Sequence, residues 1–130
     1  MICLDSDFIV DLLKQKQNAV LKFKTLRDET IISTEVNYFE LLYGIFRKYQ
    51  IPQKELDLIQ EFFDSLHVIG LSHLSAYNAA KIAGDLEKGG LTIGFNDSLI
   101  AGICASNNYS ILTKNTKHFS RIKGLKVETY

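Results

Sequence analysis

The stretch 1–13, MICLDSDFIVDLL, joins a short apolar strand to an amphipathic helix through acidic and hydroxyl side chains. Ile2-Cys3-Leu4 predicts a strand that ends at Asp5. Ser6 is a candidate N-cap for the helix that follows, since serine is favoured there. The apolar residues of this helix recur at helical spacing: Phe8, Ile9, Leu12 and Leu13. This pattern puts Asp5 at the carboxyl end of the first strand.

The same alternation of strand and helix continues along the chain. Further strands are predicted over 30–32, 67–71, 109–112 and 126–129, with helical patterns between them. Strands that alternate with helices are typical of an α/β fold with right-handed crossovers. We therefore expect a three-layer sandwich with a short, mainly parallel central sheet, in a single domain over 1–130. In such folds, sites lie at the carboxyl ends of the strands.

Composition excludes several classes of protein. The chain has 130 residues, of which 46% are hydrophobic and 23% charged, so it is not a disordered chain. Two cysteines, Cys3 and Cys104, are too few for a disulfide scaffold or a structural zinc site, and they suit a reducing cytoplasm. No apolar run approaches the length of a membrane span, and no signal segment opens the chain.

Charge is balanced overall but not locally. Fifteen basic residues face fifteen acidic ones, yet 98–127 contains no Asp or Glu. That stretch carries a set of basic side chains: Lys114, Lys117, His118, Arg121, Lys123 and Lys126. Either this is a solvated surface, or it attracts an anionic partner.

Several polar side chains are predicted at the carboxyl edge of the sheet. Asp5 follows the first strand, while Thr113 and Asn115 follow the fourth. Asp97 opens a helix, and Glu40 lies in the middle of another. Each has a structural alternative: Asp5 and Asp97 as helix caps, Glu40 as an exposed residue or a partner of Arg47, and Thr113 and Asn115 as turn residues. Asp11, one turn beyond Asp7, is expected on a solvated face.

Clustered carboxylates would require compensation by a cation. Oxygen ligands suit Mg²⁺ or Mn²⁺, which can activate water and polarise a phosphoryl oxygen. The chain has no zinc-ligand spacing, no glycine-rich phosphate loop and no pattern for a Ser or Cys triad. These absences leave a Mg²⁺ or Mn²⁺ site as the chemistry that the acidic residues favour.

Four segments together resemble the PIN-domain ribonucleases of the VapC toxin type. Residues 4–13 are similar to the opening of that family, where Asp-Ser/Thr-Asn follows the first strand. Residues 35–44 (EVNYFELLYG) match the segment whose acid precedes Leu-x-x-Gly, and 96–101 (NDSLIA) match the third acidic segment. Residues 111–119 (ILTKNTKHF) match the closing Thr-x-Asn/Asp-x-x-x-Phe motif. The resemblance spans nearly the whole chain.

The resemblance implies a metal-dependent endoribonuclease that leaves a 5′-phosphate and a 3′-hydroxyl. Asp5, Glu40 and Asp97 would hold Mg²⁺ or Mn²⁺, and Asn115 would touch the metal's water or the phosphate. Ser6 and Thr113 would orient these groups. Basic side chains near the site would contact the RNA backbone: Lys114, Lys117 and Arg121. The family also implies a homodimer and a cognate antitoxin whose peptide inserts at the active-site groove.

Two departures from the family pattern leave an alternative open. Asp7 stands where Asn is common, and His118 stands where an acidic residue often appears. With Asn115, the fourth acidic position has no carboxylate. His118 would then either meet the scissile phosphate or be a surface residue. The alternative is a catalytically impaired PIN-like domain that binds RNA or a partner protein.

A second rival is a haloacid-dehalogenase-like phosphatase that uses Asp5 and Asp7. It needs a later adjacent acidic pair, and none occurs beyond position 64. Tyr43, Tyr49 and Tyr109 are candidates for stacking on bases, although Tyr43 and Tyr109 are expected in the core.

Overall fold

A five-stranded parallel sheet lies between two layers of helices in the computed structural model, which describes residues 1–130. The strands are β1 (Ile2–Leu4), β2 (Ile31–Thr34), β3 (His67–Ile69), β4 (Ser110–Leu112) and β5 (Val127–Glu128). The helices are α1 (Ser6–Leu13), α2 (Gln17–Lys24), α3 (Glu35–Phe46), α4 (Gln53–Asp64), α5 (His73–Lys88), α6 (Phe95–Asn107) and α7 (Thr116–Phe119). The strand order is β3-β2-β1-β4-β5, and every neighbouring pair is parallel. The predicted α/β sandwich is confirmed, with a sheet that is wholly rather than mainly parallel.

Alternation along β1 divides the core between the two faces of the sheet. Ile2 and Leu4 pack with apolar residues of α1 to α4, whereas Cys3 packs with apolar residues of α6 and of the segment around α7. Successive strand side chains point to opposite faces, so this central strand is apolar throughout. Both cysteines are buried and free.

The ends of several elements differ from the sequence prediction. Asp5, not Ser6, is the N-cap of α1, and Gly94 is the N-cap of α6, so Asn96 and Asp97 already lie in the first turn of that helix. β3 ends at Ile69 because its last partner on β2 is Thr34, where β2 itself ends. Asp97 is therefore free of the capping role that was its structural alternative.

Small side chains let α5 and α6 approach closely. Ala79 is buried beneath Gly102 of α6. A Cβ at Gly102 would lie 2.6 Å from the Ala79 Cβ and 2.5 Å from the Ser75 carbonyl oxygen. The sequence of α5 offers four alanines at helical spacing, Ala76, Ala79, Ala80 and Ala83, but Ala80 is exposed. The contact between α5 and α6 therefore involves a narrower face of α5 than the sequence indicates.

No helix of the chain has both the length and the apolar character required to cross a bilayer.

Candidate functional site

Parallel pairing brings the ends of β1, β2 and β4 to one edge of the sheet. Asp5 follows β1, Thr34 ends β2, and Thr113 follows β4. The register pairs Leu4 with Leu112, so the residues that follow these two strands are neighbours. The first turns of α1, α3 and α6 start from the same edge and add further polar side chains.

Asp5 is the most buried carboxylate of this edge, with 6% of its surface exposed. One oxygen, Oδ1, accepts hydrogen bonds from the Ser6 backbone N–H and from Asn37 Nδ2, both at 2.9 Å. The other, Oδ2, accepts one from Thr113 Oγ1 at 2.6 Å. Burial raises the pKa of Asp5 to about 7, and the charges of Asp7 and Asp97 add to this effect.

Asn37 is a site residue that the sequence analysis missed. Its side chain is fully buried and donates to Asp5 Oδ1 at 2.9 Å and to Ser6 Oγ at 3.0 Å. Its Oδ1 accepts from Thr34 Oγ1 at 2.6 Å, which fixes the orientation of the amide. The available signal was its position three residues before Glu40, on the same face of α3.

Glu40 points towards the sheet edge rather than to solvent. It is half-buried, and its Oε1 accepts a hydrogen bond from Ser6 Oγ at 2.9 Å. Burial raises the pKa of Glu40, and the charges of Asp97 and Asp7 contribute in the same direction. The alternative of an exposed residue is wrong because Glu40 is half-buried. The pair with Arg47 is also wrong, because Arg47 forms no ion pair and lies over the Tyr43 ring, 6.0 Å from its centroid.

Asp97 is held by the segment that follows β4. Its Oδ2 lies 2.8 Å from His118 Nδ1 and 3.3 Å from Asn115 Nδ2. Asn115 Nδ2 and His118 Nδ1 are themselves 2.9 Å apart. His118, which stands where an acidic residue often appears in the family, thus binds the third carboxylate together with Asn115.

Asp7 ties α1 to the loop after β4. Its Oδ2 accepts from the Lys114 backbone N–H at 3.0 Å and lies 3.3 Å from Thr113 Oγ1, whose single hydrogen is donated to Asp5. Its Oδ1 is buried and has no hydrogen-bond partner. Burial raises the pKa of Asp7, against the effect of these hydrogen bonds. Because this carboxylate oxygen near Asp5 has no partner, the edge can still accept a cation or a hydrogen-bond donor.

Asp11 is buried, which corrects the expectation of a solvated face. It pairs with Lys16 Nζ at 2.9 Å and with Lys114 Nζ, and its Oδ2 accepts from the Tyr130 hydroxyl at 2.8 Å. Lys114 also lies over the Tyr130 ring, 5.2 Å from its centroid. The ammonium group of Lys114, predicted to contact RNA, is therefore bound to Asp11 in this structure.

The other two predicted RNA contacts lie on or just after α7. Lys117 is exposed and forms no ion pair, and Arg121 Nη1 donates to the Thr92 carbonyl oxygen at 3.2 Å. Tyr43 is 58% exposed, which overturns its expected core position, while Tyr109 is partly buried against the second core cluster. The sheet edge that carries Asp5, Glu40 and Asp97 is called the carboxylate edge below. The basic segment therefore starts at the carboxylate edge and continues away from it.

The donor chemistry of this edge fits a divalent cation. All candidate ligands offer oxygen, and the pKa of Asp5, Asp7 and Glu40 is raised by burial and mutual repulsion. As they stand, no three Asp, Glu, His or Cys side chains converge closely enough to hold one ion. Mg²⁺ does not require such a cage, since it commonly uses one or two carboxylates and keeps several waters.

Comparisons with known proteins show the family to which the chain belongs. A model of the PIN domain family matches residues 2–125. The "tRNA(fMet)-specific endonuclease VapC" of Shigella flexneri is 29% identical over 127 residues, 98% of this chain and 96% of that protein. "Ribonuclease VapC2" of Rickettsia felis is 32% identical over 106 residues, 80% of this chain and 77% of that protein.

A solved structure extends the similarity to three dimensions. VapBC2 from Rickettsia felis, bound to a DNA fragment from its promoter, contains a chain that superposes with a TM-score of 0.89 and 27% sequence identity. The match covers 100% of this chain and 99% of that one. The two chains thus share their fold along the whole length.

Proposed function

Because this chain belongs to the PIN domain family, we propose that it is a metal-dependent endoribonuclease, the toxin of a toxin–antitoxin pair. The observation that carries the proposal is the placement of Asp5, Glu40 and Asp97 at one sheet edge by three separate elements. The match to the PIN domain family argues against the phosphatase alternative. The curated relatives are named as ribonucleases or endonucleases, which supports RNA as the substrate.

Asp5, Glu40 and Asp97 would hold Mg²⁺ or Mn²⁺, which when bound activates water and neutralises charge on the phosphate. The chain's own side chains keep these carboxylates in place. Asn37 and Thr113 fix both oxygens of Asp5, and Ser6 links Asn37 to Glu40. This network orients the carboxylate of Asp5, at the start of α1, with respect to that of Glu40 in α3.

Asn115 and His118 hold Asp97 in the same way, and we propose that they also meet the substrate phosphate. Cleavage would leave a 5′-phosphate and a 3′-hydroxyl, as the family resemblance implies. The alternative of a catalytically impaired domain is favoured by one observation: these two side chains occupy an acidic family position and bind Asp97 themselves.

We propose two protein partners, a cognate antitoxin and a second copy of the chain. The solved relative is a complex of a VapC-type chain with its VapB partner, which supports a cognate antitoxin here. Exposed apolar side chains on α3 and α5 support the expected homodimer, since such patches mark interaction sites: Phe39, Tyr43, Phe46, Leu74 and Tyr77. The reducing cytoplasm remains the proposed location, consistent with two free buried thiols.

The test is cleavage of pooled cellular RNA by purified protein freed of its partner. Reactions contain Mg²⁺, Mn²⁺ or a chelator, and Asp97→Asn serves as the matched variant. We expect discrete cuts that need metal and that fall at least about 100-fold in the variant. No cleavage by folded protein under any metal would support the impaired, binding-only alternative.

A further inference from the structure

A pocket lies in the α5–α6 layer, away from the carboxylate edge. It has a volume of about 560 Å³ and is formed by α5, α6 and the segment after α7. Its floor is apolar, from Ile82, Leu86 and Ile122, and its rim carries Lys81, Arg121 and Lys123. This volume lies in the range of pockets that hold small-molecule ligands.

The cations of this rim are not neutralised by the protein. Lys81 and Lys123 are exposed, and neither forms an ion pair with a carboxylate. The one acidic residue of the pocket, Asp85, is paired with Lys88 at 3.5 Å. The rim therefore has an excess of positive charge available to an anionic ligand.

The pocket is connected to the carboxylate edge by one short basic segment. Asn115 and His118 contact Asp97, exposed Lys117 lies on the helical turn between them, and Arg121 and Lys123 reach the pocket. Lys123 lies eight positions after Asn115, so the two places are at most roughly 28 Å apart. A polyanion that occupies the edge could extend along this segment by a few nucleotides.

We propose that this pocket binds a nucleotide of the RNA substrate at a distance from the scissile bond. Lys81 and Lys123 contact its backbone phosphates, and the apolar floor receives the base or ribose. The inference rests on the proposed ribonuclease function and adds to it a second contact with RNA. A cationic rim above an apolar floor matches the two chemical parts of a nucleotide.

The experiment compares the wild type with Lys81→Glu/Lys123→Glu. Arg121 is left intact because it holds the Thr92 carbonyl, on the loop that leads into α6. The matched control is Lys24→Glu/Lys54→Glu, which changes two exposed, unpaired lysines outside the α5–α6 layer. Both double variants lower the formal charge from 0 to −4, so overall charge is held constant between them.

Binding is measured first, by fluorescence anisotropy of a labelled 30-nucleotide RNA in chelator at several salt concentrations. We expect the pocket variant to weaken binding at least about tenfold, and the slope of log K against log salt to become less steep by about 1.4 to 1.8. The control variant should change affinity less than about threefold. Cleavage of pooled RNA should show a raised KM with an unchanged kcat.

Equal weakening in the pocket and control variants would overturn the inference, as would a loss of kcat without a change in KM. So would a pocket variant that binds RNA normally but loses affinity for the antitoxin, which would make the rim a protein-binding surface. Absence of cleavage by the wild type would instead contradict the ribonuclease function, and the anisotropy result would still decide the pocket.

Discussion

At the scale of single residues, Asp5 combines strong hydrogen bonding with an unfavourable environment. Three donors hold it, yet burial and the neighbouring Asp7 and Asp97 raise its pKa to about 7. Above that pH the metal-free protein carries a buried charge whose cost is not fully compensated. Residues arranged in this way commonly serve function at the expense of stability.

The variant Asp5→Asn should therefore stabilise the metal-free protein. At pH 8, in chelator, we expect its free energy of unfolding to rise by about 1 to 3 kcal/mol, because the amide removes the buried charge. Thr113 can accept from the new amide and turn its own hydrogen to Asp7 Oδ2, 3.3 Å away. Denaturant titration measures this. Mn²⁺ should raise the melting temperature of the wild type and not of the variant, and a less stable variant would contradict the prediction.

The pKa of Asp11 is shifted in the opposite direction to that of Asp5. Burial alone would raise its pKa, but Lys114, Lys16 and Tyr130 hold the pKa of this carboxyl well below its ordinary value. A group whose pKa is depressed by folding stabilises the protein above its unfolded pKa, and that contribution is lost as pH falls. This network also anchors Lys114, whose backbone N–H binds Asp7.

We expect Asp11→Asn to lower the free energy of unfolding by about 1 to 2 kcal/mol at pH 7, since it weakens hydrogen bonds from charged donors. The difference from the wild type should shrink as pH falls below about 4. Urea unfolding at pH 7, 5 and 3.5 measures it. Asp28→Asn, at an exposed residue without an ion pair, is the control. A difference that stays constant with pH would show that the charge of Asp11 is not the cause.

At the scale of elements, the contact between α5 and α6 is set by the absence of a side chain at Gly102. A methyl group there would meet the backbone of Ser75 and Ala79 at 2.5 to 2.7 Å, so the helices would have to move apart. Because α6 also carries Asp97, its position determines the geometry of the carboxylate edge. Gly84, in the middle of α5, has nothing within 4 Å of an added Cβ.

These two glycines give a matched pair. Gly102→Ala should destabilise the protein by about 1 to 3 kcal/mol through overpacking. Gly84→Ala should stabilise it by about 0.5 to 1 kcal/mol, because alanine is the better helix former and meets no obstacle. Thermal and denaturant unfolding of both variants decide this. Equal effects of the two substitutions would mean that helix propensity, rather than the contact, dominates.

The sequence predicted the elements well and their polar contacts less well. Periodicity located all five strands and the sheet edge, because the buried strands and amphipathic helices leave a clear apolar pattern. It did not locate Asn37 or the burial of Asp11, because their partners lie 32 and 119 residues away along the chain. Glu40 was ambiguous for the same reason, since Ser6 is its partner across 34 residues.

At the scale of the whole molecule, α3 and α5 present apolar surface that the chain itself does not cover. Phe39 and Tyr43 stack with ring centroids 6.1 Å apart, and each is 58% exposed. Leu74 and Tyr77 on α5 are 58% and 69% exposed. Soluble monomers rarely keep such patches open, so a second copy of the chain is the occupant that the family resemblance indicates.

We expect sedimentation of the purified protein to give about twice the monomer mass, and Phe39→Glu/Tyr77→Glu to give the monomer with an unchanged circular dichroism spectrum. Glutamates facing one another across an isologous interface would repel and would be costly to bury. Leu21→Glu is the control, since Leu21 is 55% exposed but lies on α2, which carries none of the residues of the proposed interface. A wild type that stays monomeric at tens of micromolar would mean that these faces serve another partner. A control variant that dissociates as readily would show that added charge alone prevents assembly. Dimerisation through α3 would also affect the active site, because α3 carries Asn37 and Glu40 and a partner packed on its outer face would fix both.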